Sequence, residues 1–385
     1  MRSAAITRPT QRFRRLSLRL RVVKVPALRG VRVRSPRRGR GARVVIFSFL
    51  VAVVLLHGAV VLMMDVVWPR LRDPEYGLRV AALQQRLREY PQRPLVLAIG
   101  NSRTAMGIRP EAWEAVRPGT PNDPLLFNMA IVGSGPILEL LTLRRVYADG
   151  FRPDLVLLEY WPPFLRQDGE FGEAARFDPR RLRWSDRATI RSYYPNAAAV
   201  ERRMWLTRLN AISDNRQSLL IQTDDDWFPR PWRINGNWVD LDPWGWLPGM
   251  DPAPQDVATR RRLIEHQRPF AIDRFQGHTI HPESDRAIRE AVALVRAQGA
   301  EVALVYLPES AEYQSWYPPD VEHAACAHLA TLCRELGVPV INTRDWMDEC
   351  YLADGFHLSR IGATLFTARL GPVMAELLGP SGKRP

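Results

Sequence analysis

The chain has 385 residues, of which 46% are hydrophobic, 54 are Lys or Arg and 41 are Asp or Glu. This hydrophobic content is too high for a disordered protein and too low for a protein that crosses a membrane many times. Three cysteines are too few for a scaffold built on disulfides. The net charge of +13 lies at one end, because residues 1–43 hold 15 basic and no acidic side chains and the remainder carries −2. The body of the protein is therefore not basic, and only its N-terminal arm is.

The arm is followed by an apolar segment, residues 44–64, which has no charged side chain and in which only Ser48 and His57 are clearly polar. A helix of about 20 apolar residues crosses a bilayer. The residues that follow (MMDVVWP, 63–69) lack the small-residue cleavage pattern of a secretory signal. We predict an uncleaved, single-pass anchor over 44–67, with a buried core helix as the alternative.

The basic arm over residues 1–43 is rich in Pro and Arg, and we expect it to be disordered. Positive charge beside an anchor favours the cytoplasmic side, so residues 68–385 are expected outside the cytoplasm, in the periplasm or at the cell surface. Arg37-Arg38-Gly39-Arg40 could also bind a phosphate backbone. The orientation signal accounts for the same residues without a partner, and we expect no nucleic-acid partner.

The exported part alternates short apolar runs with longer amphipathic stretches. Strands are predicted at 94–99, 125–128, 154–159, 301–307 and 338–341, and helices at 78–90, 137–149, 283–298 and 321–336. Strands without polar alternation, separated by helices, indicate a parallel sheet covered on both faces. We therefore predict a flavodoxin-like, three-layer αβα fold with five parallel strands. The stretch of about 165–275 lacks clear periodicity and holds six of the 12 tryptophans from Trp205 to Trp246, so we interpret it as a long insertion between the third and fourth strands.

Two sites near strand ends carry residues suited to nucleophilic catalysis. Ser102 follows the first strand, and Asp354 stands three residues before His357 in the loop after the fifth. Loops beyond the C-terminal ends of parallel strands meet at one edge of the sheet. His357 would act as the base that activates the serine, with Asp354 orienting its imidazole. Taken singly, Ser102 would be interpreted as a helix cap and His357 as a hydrogen-bonded loop residue.

These motifs resemble the SGNH (GDSL-type) hydrolase superfamily. The resemblance is carried by Gly100-Asn101-Ser102, by Gly133 after the second strand and by Asp354-x-x-His357, over about residues 94–164 and 299–371. It implies a serine nucleophile, a histidine base and an aspartate that orients it. It also implies an oxyanion hole formed by the serine amide, a glycine amide and an asparagine side chain. The anchor fits the membrane-anchored SGNH-like proteins that act on envelope polymers, including O-acetyltransferase accessory proteins.

The oxyanion donors carry over unevenly. Ser102 matches, and the segment from Asn128 to Gly133 resembles the second block, with Gly133 as the first choice for the glycine donor and Gly135 in reserve. The third block departs from the family, because residues 158–163 read LEYWPP and offer no asparagine. Tyr160 is the candidate substitute donor.

Further residues are candidates for contact with substrate. Asn101 and Arg103 replace the Asp and Leu of the GDSL signature, and Glu309 follows the fourth strand. Trp244 and Trp246 of the insertion could stack on sugar rings, although packing of the insertion onto the sheet is the simpler interpretation. His278-x-x-His281 has no accompanying ligand signature, so no metal and no cofactor are expected.

The sequence supports two hypotheses about function. The first is an anchored SGNH-like ester hydrolase or O-acyltransferase that acts through a Ser-His-Asp triad on an acylated envelope glycan or lipid. The second is a module of the same fold, weak or inactive in catalysis, that binds an envelope polysaccharide or a membrane acyltransferase partner. The missing asparagine and the tryptophans motivate the second.

Overall fold

The computed structural model of the protein describes residues 38–120, 123–221, 240–249 and 256–379. The predicted basic arm therefore lies, up to residue 37, outside the described residues, as do two stretches of the predicted insertion. The chain divides into two units, Met1–Val53 and Val54–Pro385. In the first unit the described residues belong to a helix whose apolar side chains, such as Phe47 and Leu55 just beyond the boundary, are exposed.

Strands and helices alternate through the second unit in the predicted order. The strands are β1 (Leu95–Ile99), β2 (Leu125–Asn128), β3 (Leu155–Glu159), β4 (Glu301–Tyr306) and β5 (Val340–Asn342). The helices, numbered over the described residues, are α1 (Arg38–Leu62), α2 (Pro74–Glu89), α3 (Ser102–Gly107), α4 (Pro110–Val116), α5 (Pro136–Ala148), α6 (Glu173–Arg176), α7 (Arg187–Tyr193), α8 (Ala197–Leu209), α9 (Ala211–Ile221), α10 (Val257–Phe275), α11 (Pro282–Ala297), α12 (Ala311–Gln314), α13 (Pro319–Leu336) and α14 (Arg360–Leu378).

The five strands form one parallel sheet in the order β2-β1-β3-β4-β5. Successive side chains of a strand point to opposite faces, and here both faces are buried. Leu95, Leu97 and Ile99 of β1 join one core cluster, whereas Val96 and Ala98 join the other. Helices α5 and α11 cover the first face, and α4 and α14 cover the second. The predicted three-layer αβα fold with five parallel strands is confirmed.

Two helical segments among the described residues are long and apolar enough to cross a membrane, Gly41–Val67 and Arg360–Leu378. The second is α14, whose Phe366 and Leu370 are buried against the sheet. In the first, the part that belongs to the larger unit packs on α8 and α9. There, Met64 is fully buried beside Ala211, and the His57 Nε2 atom lies 2.8 Å from the Arg208 carbonyl oxygen.

The long segment between β3 and β4 is more ordered than its lack of periodicity predicted. It contains α6 to α10, and its helices bury few side chains each, such as Val200 and Met204 of α8. A helix that buries only a few side chains needs no continuous apolar stripe, so its sequence shows little hydrophobic periodicity. The position of α10 matters for function, because this helix covers the C-terminal edge of the sheet near Ser102.

Candidate active site

Ser102 is the first residue of α3, directly beyond the end of β1. Its neighbour Asn101 is the N-cap, and the Asn101 Oδ1 atom accepts a hydrogen bond of 2.8 Å from the Arg103 amide. The other end of α3 is fixed by Asn128 at the end of β2, whose Nδ2 donates to the carbonyl oxygens of Thr104 (2.8 Å) and Ile108 (2.7 Å). Asn101 is thus buried in a capping role through its Oδ1 atom, and its contact with substrate stays a prediction.

The structure brings Ser102, His357 and Asp354 together in one hydrogen-bonded chain. The Ser102 Oγ atom lies 2.8 Å from His357 Nε2, and His357 Nδ1 lies 2.8 Å from Asp354 Oδ2. The other Asp354 oxygen accepts the His357 amide at 2.9 Å and the Phe356 amide at 3.3 Å, which fixes the turn between the two residues. This is the order of contacts in which a carboxylate orients an imidazole toward a serine.

The Asp354 carboxyl is almost completely buried, at 2% exposure. Burial disfavours the charged form, but the charge of His357 and the hydrogen bonds from His357 and Phe356 outweigh it, so the pKa of Asp354 lies below its usual value. Asp354 is therefore ionised at neutral pH, as an acceptor for the imidazole N–H must be.

Ser102 and His357 open into a cavity of about 160 Å³ at the C-terminal edge of the sheet. Most of its wall is aromatic, and α10 contributes one face of the helix at positions 267, 270, 271 and 274. The lining residues are Ser102, Trp161, Phe164, Gln267, Phe270, Ala271, Arg274, Tyr313, Phe356 and His357. The cavity therefore has room for an acyl group or a small alcohol portion beside the serine hydroxyl.

Arg103 is buried at 1% exposure and does not line this cavity. Its guanidinium donates to the carbonyl oxygens of Leu307 (2.8 Å), Pro308 (3.1 Å) and Phe356 (3.3 Å). The prediction that Arg103 contacts substrate is wrong. Instead, the residue after the serine is tied to the residue before the histidine, so Arg103 sets the distance between the two halves of the site.

Glu159, at the end of β3, was not singled out in the sequence. Its Oε2 atom accepts the Asn101 amide at 2.9 Å and the Thr104 hydroxyl at 2.5 Å, so it holds the turn that presents Ser102. The Glu159 carboxylate also explains why residue 100 is a glycine, because a Cβ at Gly100 would lie 2.4 Å from Glu159 Oε2. The available signal was an acidic residue that ends an otherwise apolar buried strand.

Glu309 is also buried rather than exposed to the cavity, at 2% exposure. Its carboxylate accepts hydrogen bonds from Trp161 Nε1 (2.9 Å), the Tyr317 hydroxyl (3.0 Å) and Arg344 Nε (2.9 Å), and lies 3.5 Å from Arg103 Nη1. The prediction that Glu309 faces the cleft is wrong, because the cations on either side draw its side chain into the protein.

The third block supplies no side-chain donor among the residues that replace the asparagine. The Tyr160 hydroxyl donates to the Ala325 carbonyl oxygen at 3.0 Å on α13, and Tyr160 is absent from the cavity wall. Trp161 does line the cavity, but its indole N–H is used by Glu309. Tyr160 is therefore not the substitute donor that the sequence suggested.

The two candidate glycines lie in the turn before α5, and neither lines the cavity. Gly133 has a φ of +82°, and its carbonyl oxygen lies 3.4 Å from Arg176 Nε. Gly135 must be glycine because a Cβ would lie 2.4 Å from Oε1 of the buried Glu173. That carboxylate caps α5 by accepting the Ile137 amide at 3.0 Å and the Leu138 amide at 2.9 Å. The role of Gly133 or Gly135 as an oxyanion donor stays a prediction.

The two tryptophans proposed to stack on sugars are engaged within the protein. The Trp244 ring stacks on Tyr90 with a centroid separation of 6.1 Å, and the Trp246 indole N–H donates to the Met106 carbonyl oxygen at 2.7 Å. Both residues are buried and outside the cavity wall. They pack the segment against α2 and α3, so the sugar-stacking interpretation is wrong for these residues.

Across the described ranges, no group of three or more His, Cys, Asp and Glu side chains has the arrangement of a metal site. His278 bonds through Nε2 to the Pro162 carbonyl oxygen (2.8 Å), and His281 caps α11 by accepting the Glu283 amide. Each histidine of the pair therefore has a structural partner.

Comparison with known proteins identifies similar solved structures. No family model and no curated protein sequence matches the chain. The chain is similar to a lipase/acylhydrolase from Enterococcus faecalis at 12% identity, over 74% of this chain and 95% of that one, with a TM-score of 0.32. It is also similar to a GDSL-like lipase from Bacteroides thetaiotaomicron at 12% identity, over 77% of this chain and 98% of that one, with a TM-score of 0.32. A third similar structure is a catalytic mutant of an acetylxylan esterase from Geobacillus stearothermophilus, at 11% identity over 76% of this chain and 97% of that one, with a TM-score of 0.33.

Proposed function

We propose that the protein is an SGNH-like ester hydrolase or O-acyltransferase. The observation that carries the proposal is the chain of two 2.8 Å contacts from Asp354 through His357 to Ser102, which ends at the wall of a cavity. A serine hydroxyl becomes a nucleophile when a positioned base removes its proton. Arg103 and Glu159 support the same interpretation, because they fix the two loops that carry the serine and the histidine.

In the proposed reaction Ser102 Oγ attacks the carbonyl carbon of an ester while its proton passes to His357 Nε2. The tetrahedral intermediate collapses as the protonated imidazole donates to the leaving alcohol, which leaves an acyl-serine. Water then releases the acid, or an acceptor hydroxyl takes the acyl group, with His357 as the base in either case. The Ser102 amide is available to the oxyanion, because it makes no hydrogen bond to the part of the chain that the structure describes.

The proposed substrate is an acylated glycan or lipid of the cell envelope. The apolar segment of α1 supports an anchor, and the basic arm before it supports a domain outside the cytoplasm. An enzyme tethered in this way would meet esters near the membrane surface, and a membrane acyltransferase would be a suitable partner for transfer.

A fluorophosphonate probe tests the activated serine directly. We expect detergent-solubilised full-length protein to be labelled, and the Ser102→Ala and His357→Ala variants to lose labelling. The exposed residues Ser315 and His266 provide matched controls, and Ser315→Ala and His266→Ala should be labelled as the natural protein is. Equal labelling of the Ser102→Ala variant would refute the proposal, as would folded natural protein that does not react.

A second candidate function, binding without turnover, is favoured by the third block. The Tyr160 hydroxyl and the Trp161 indole N–H both donate to other groups of the protein. Neither residue therefore supplies the oxyanion donor that the family's asparagine provides. Loss of one oxyanion donor costs about 3–4 kcal/mol of transition-state stabilisation. A binding module predicts retention of an acylated polymer that is unaffected by Ser102→Ala, together with no serine-dependent hydrolysis.

A further inference from the structure

Arg274 is a cationic side chain in the wall of the cavity that also holds Ser102 and His357. It lies on α10, one turn beyond Phe270 and Ala271, which line the same wall. Its guanidinium makes no hydrogen bond and no ion pair with any described residue. The guanidinium lies over the ring of Phe164, with 4.9 Å between the Arg274 Cζ atom and the ring centroid. Guanidinium donors beside a substrate cavity are therefore left without an acceptor from the described protein.

A second arginine lies on the same ring. The Arg176 Cζ atom is 3.9 Å from the Phe164 centroid, and its buried Nη2 has no hydrogen-bond partner among the described residues. Burial, and to a lesser extent the charge of Arg274, lowers the pKa of Arg176 to about 10. Glu173 offsets part of that charge, but its oxygens already accept the Ile137 and Leu138 amides. Two arginine side chains therefore lie over one aromatic ring at this end of the cavity, and Glu173 offsets part of their charge.

The buried arginines Arg103 and Arg145 do have acceptors from the chain. Arg103 donates to three carbonyl oxygens, and Arg145 pairs with both Asp73 and Asp186. A cation withdrawn from water normally has such partners, because an unpaired buried charge is costly. Arg274 is only partly buried, and it faces the cavity, where water or a ligand can supply the acceptor.

We propose that the substrate carries an anionic group, a carboxylate or a phosphate, close to its ester, and that Arg274 binds this group. A planar guanidinium matches two oxygens of either anion. The buried rings of Trp161 and Phe164 form the aromatic wall beside Arg274, and apolar surroundings strengthen a charged pair relative to water. This inference rests on the proposed function, since it assigns the ester to Ser102 and the neighbouring charge to Arg274.

Equilibrium binding to full-length Ser102→Ala protein tests anion recognition without turnover. The ligands are para-acetoxybenzoate, para-acetoxyphenyl phosphate and the neutral para-acetoxybenzamide, and calorimetry gives each Kd. We expect one or both anions to bind roughly 10- to 100-fold more tightly than the amide, as for a hydrogen-bonded pair that involves a charge. The two anionic ligands distinguish a carboxylate from a phosphate as the source of the charge.

Two substitutions of Arg274 and one control complete the experiment, each made in the Ser102→Ala background. Arg274→Gln should reduce the preference for the anion to about onefold, and Arg274→Lys should keep part of it. Arg268→Gln removes the same charge from an exposed position on the same helix and should keep the full preference. Equal binding of anion and amide, or a preference that survives Arg274→Gln, would overturn the inference.

Failure of the proposed function gives a different result. Loss of the anion preference in Arg274→Gln supports the inference whether or not the serine reacts. Absence of fluorophosphonate labelling of Ser102 in the natural protein would refute the hydrolase alone. Thermal unfolding of the Arg274→Gln single variant at the Tm of the natural protein would show that this variant is folded.

Discussion

Substitution of Arg103 tests whether the geometry of the site depends on a side chain that does not contact the cavity. Its guanidinium joins three carbonyl oxygens, on Leu307, Pro308 and Phe356, at 2.8, 3.1 and 3.3 Å. The single ammonium of Arg103→Lys is compact and cannot reproduce the fork that reaches them. We therefore expect at least two charge-assisted hydrogen bonds to be lost.

Each such bond contributes about 1.5–3 kcal/mol, so we expect Arg103→Lys to destabilise the protein by about 3 kcal/mol or more. At roughly 2 °C per kcal/mol for a large domain, Tm should fall by ~6 °C. Arg103→Met should cost more, because it leaves Glu159 and Glu309, whose carboxylates lie 3.8 and 3.5 Å from Arg103 Nη1, buried beside no cation from this position.

The positioning role predicts a kinetic effect as well as a loss of stability. A displacement of about 1 Å between reacting groups reduces rates by up to ~100-fold. The assay is the rate of fluorophosphonate labelling of Ser102, measured well below Tm, alongside thermal unfolding of the full-length protein. Arg268→Lys, at an exposed position, is the control. A folded Arg103→Lys variant that labels at the natural rate would refute the positioning role, even if its Tm were lower.

Two further predictions concern the residues that hold the site. Gly135→Ala places a Cβ 2.4 Å from Glu173 Oε1 and should lower stability by about 1–3 kcal/mol, as overpacking does. Glu173→Ala removes the clashing atoms, so effects of Gly135→Ala and Glu173→Ala on thermal unfolding that simply add would contradict a direct clash. The depressed pKa of Asp354 means that its carboxylate stabilises the folded state fully above the unfolded-state value of about 3.9, and that this contribution is lost as the pH falls through the lower folded-state pKa. Tm measurements from pH 7 downward should therefore show the deficit of Asp354→Asn shrinking on acidification below about pH 4, and a widening deficit would contradict the assignment.

The fold class follows from the amino-acid pattern alone. Five short runs without polar alternation, such as 94–99 and 154–159, need burial on both faces, and the amphipathic segments between them supply the cover. Because parallel strands end at one edge, the sequence also indicated that Ser102 and Asp354-x-x-His357 would lie at the same edge. Boundaries were predicted less well: the helix expected at 78–90 begins at Pro74, where Asp73 caps it by accepting the Tyr76 amide.

Which side chains near that edge face the cavity depends on contacts between segments that are distant in the chain. Arg103, Glu309 and Tyr160 all stand in loops or at strand ends where a contact with substrate was reasonable, yet each is drawn inward by a partner distant in the chain. Conversely, Arg274 lies on α10, more than a hundred residues after β3 in the chain, and it reaches the cavity. The local hydrophobic pattern of the sequence indicates whether a segment can be buried. The direction of a polar side chain depends instead on which charges and carbonyl groups the fold brings beside it, because a buried polar atom without such a partner is costly.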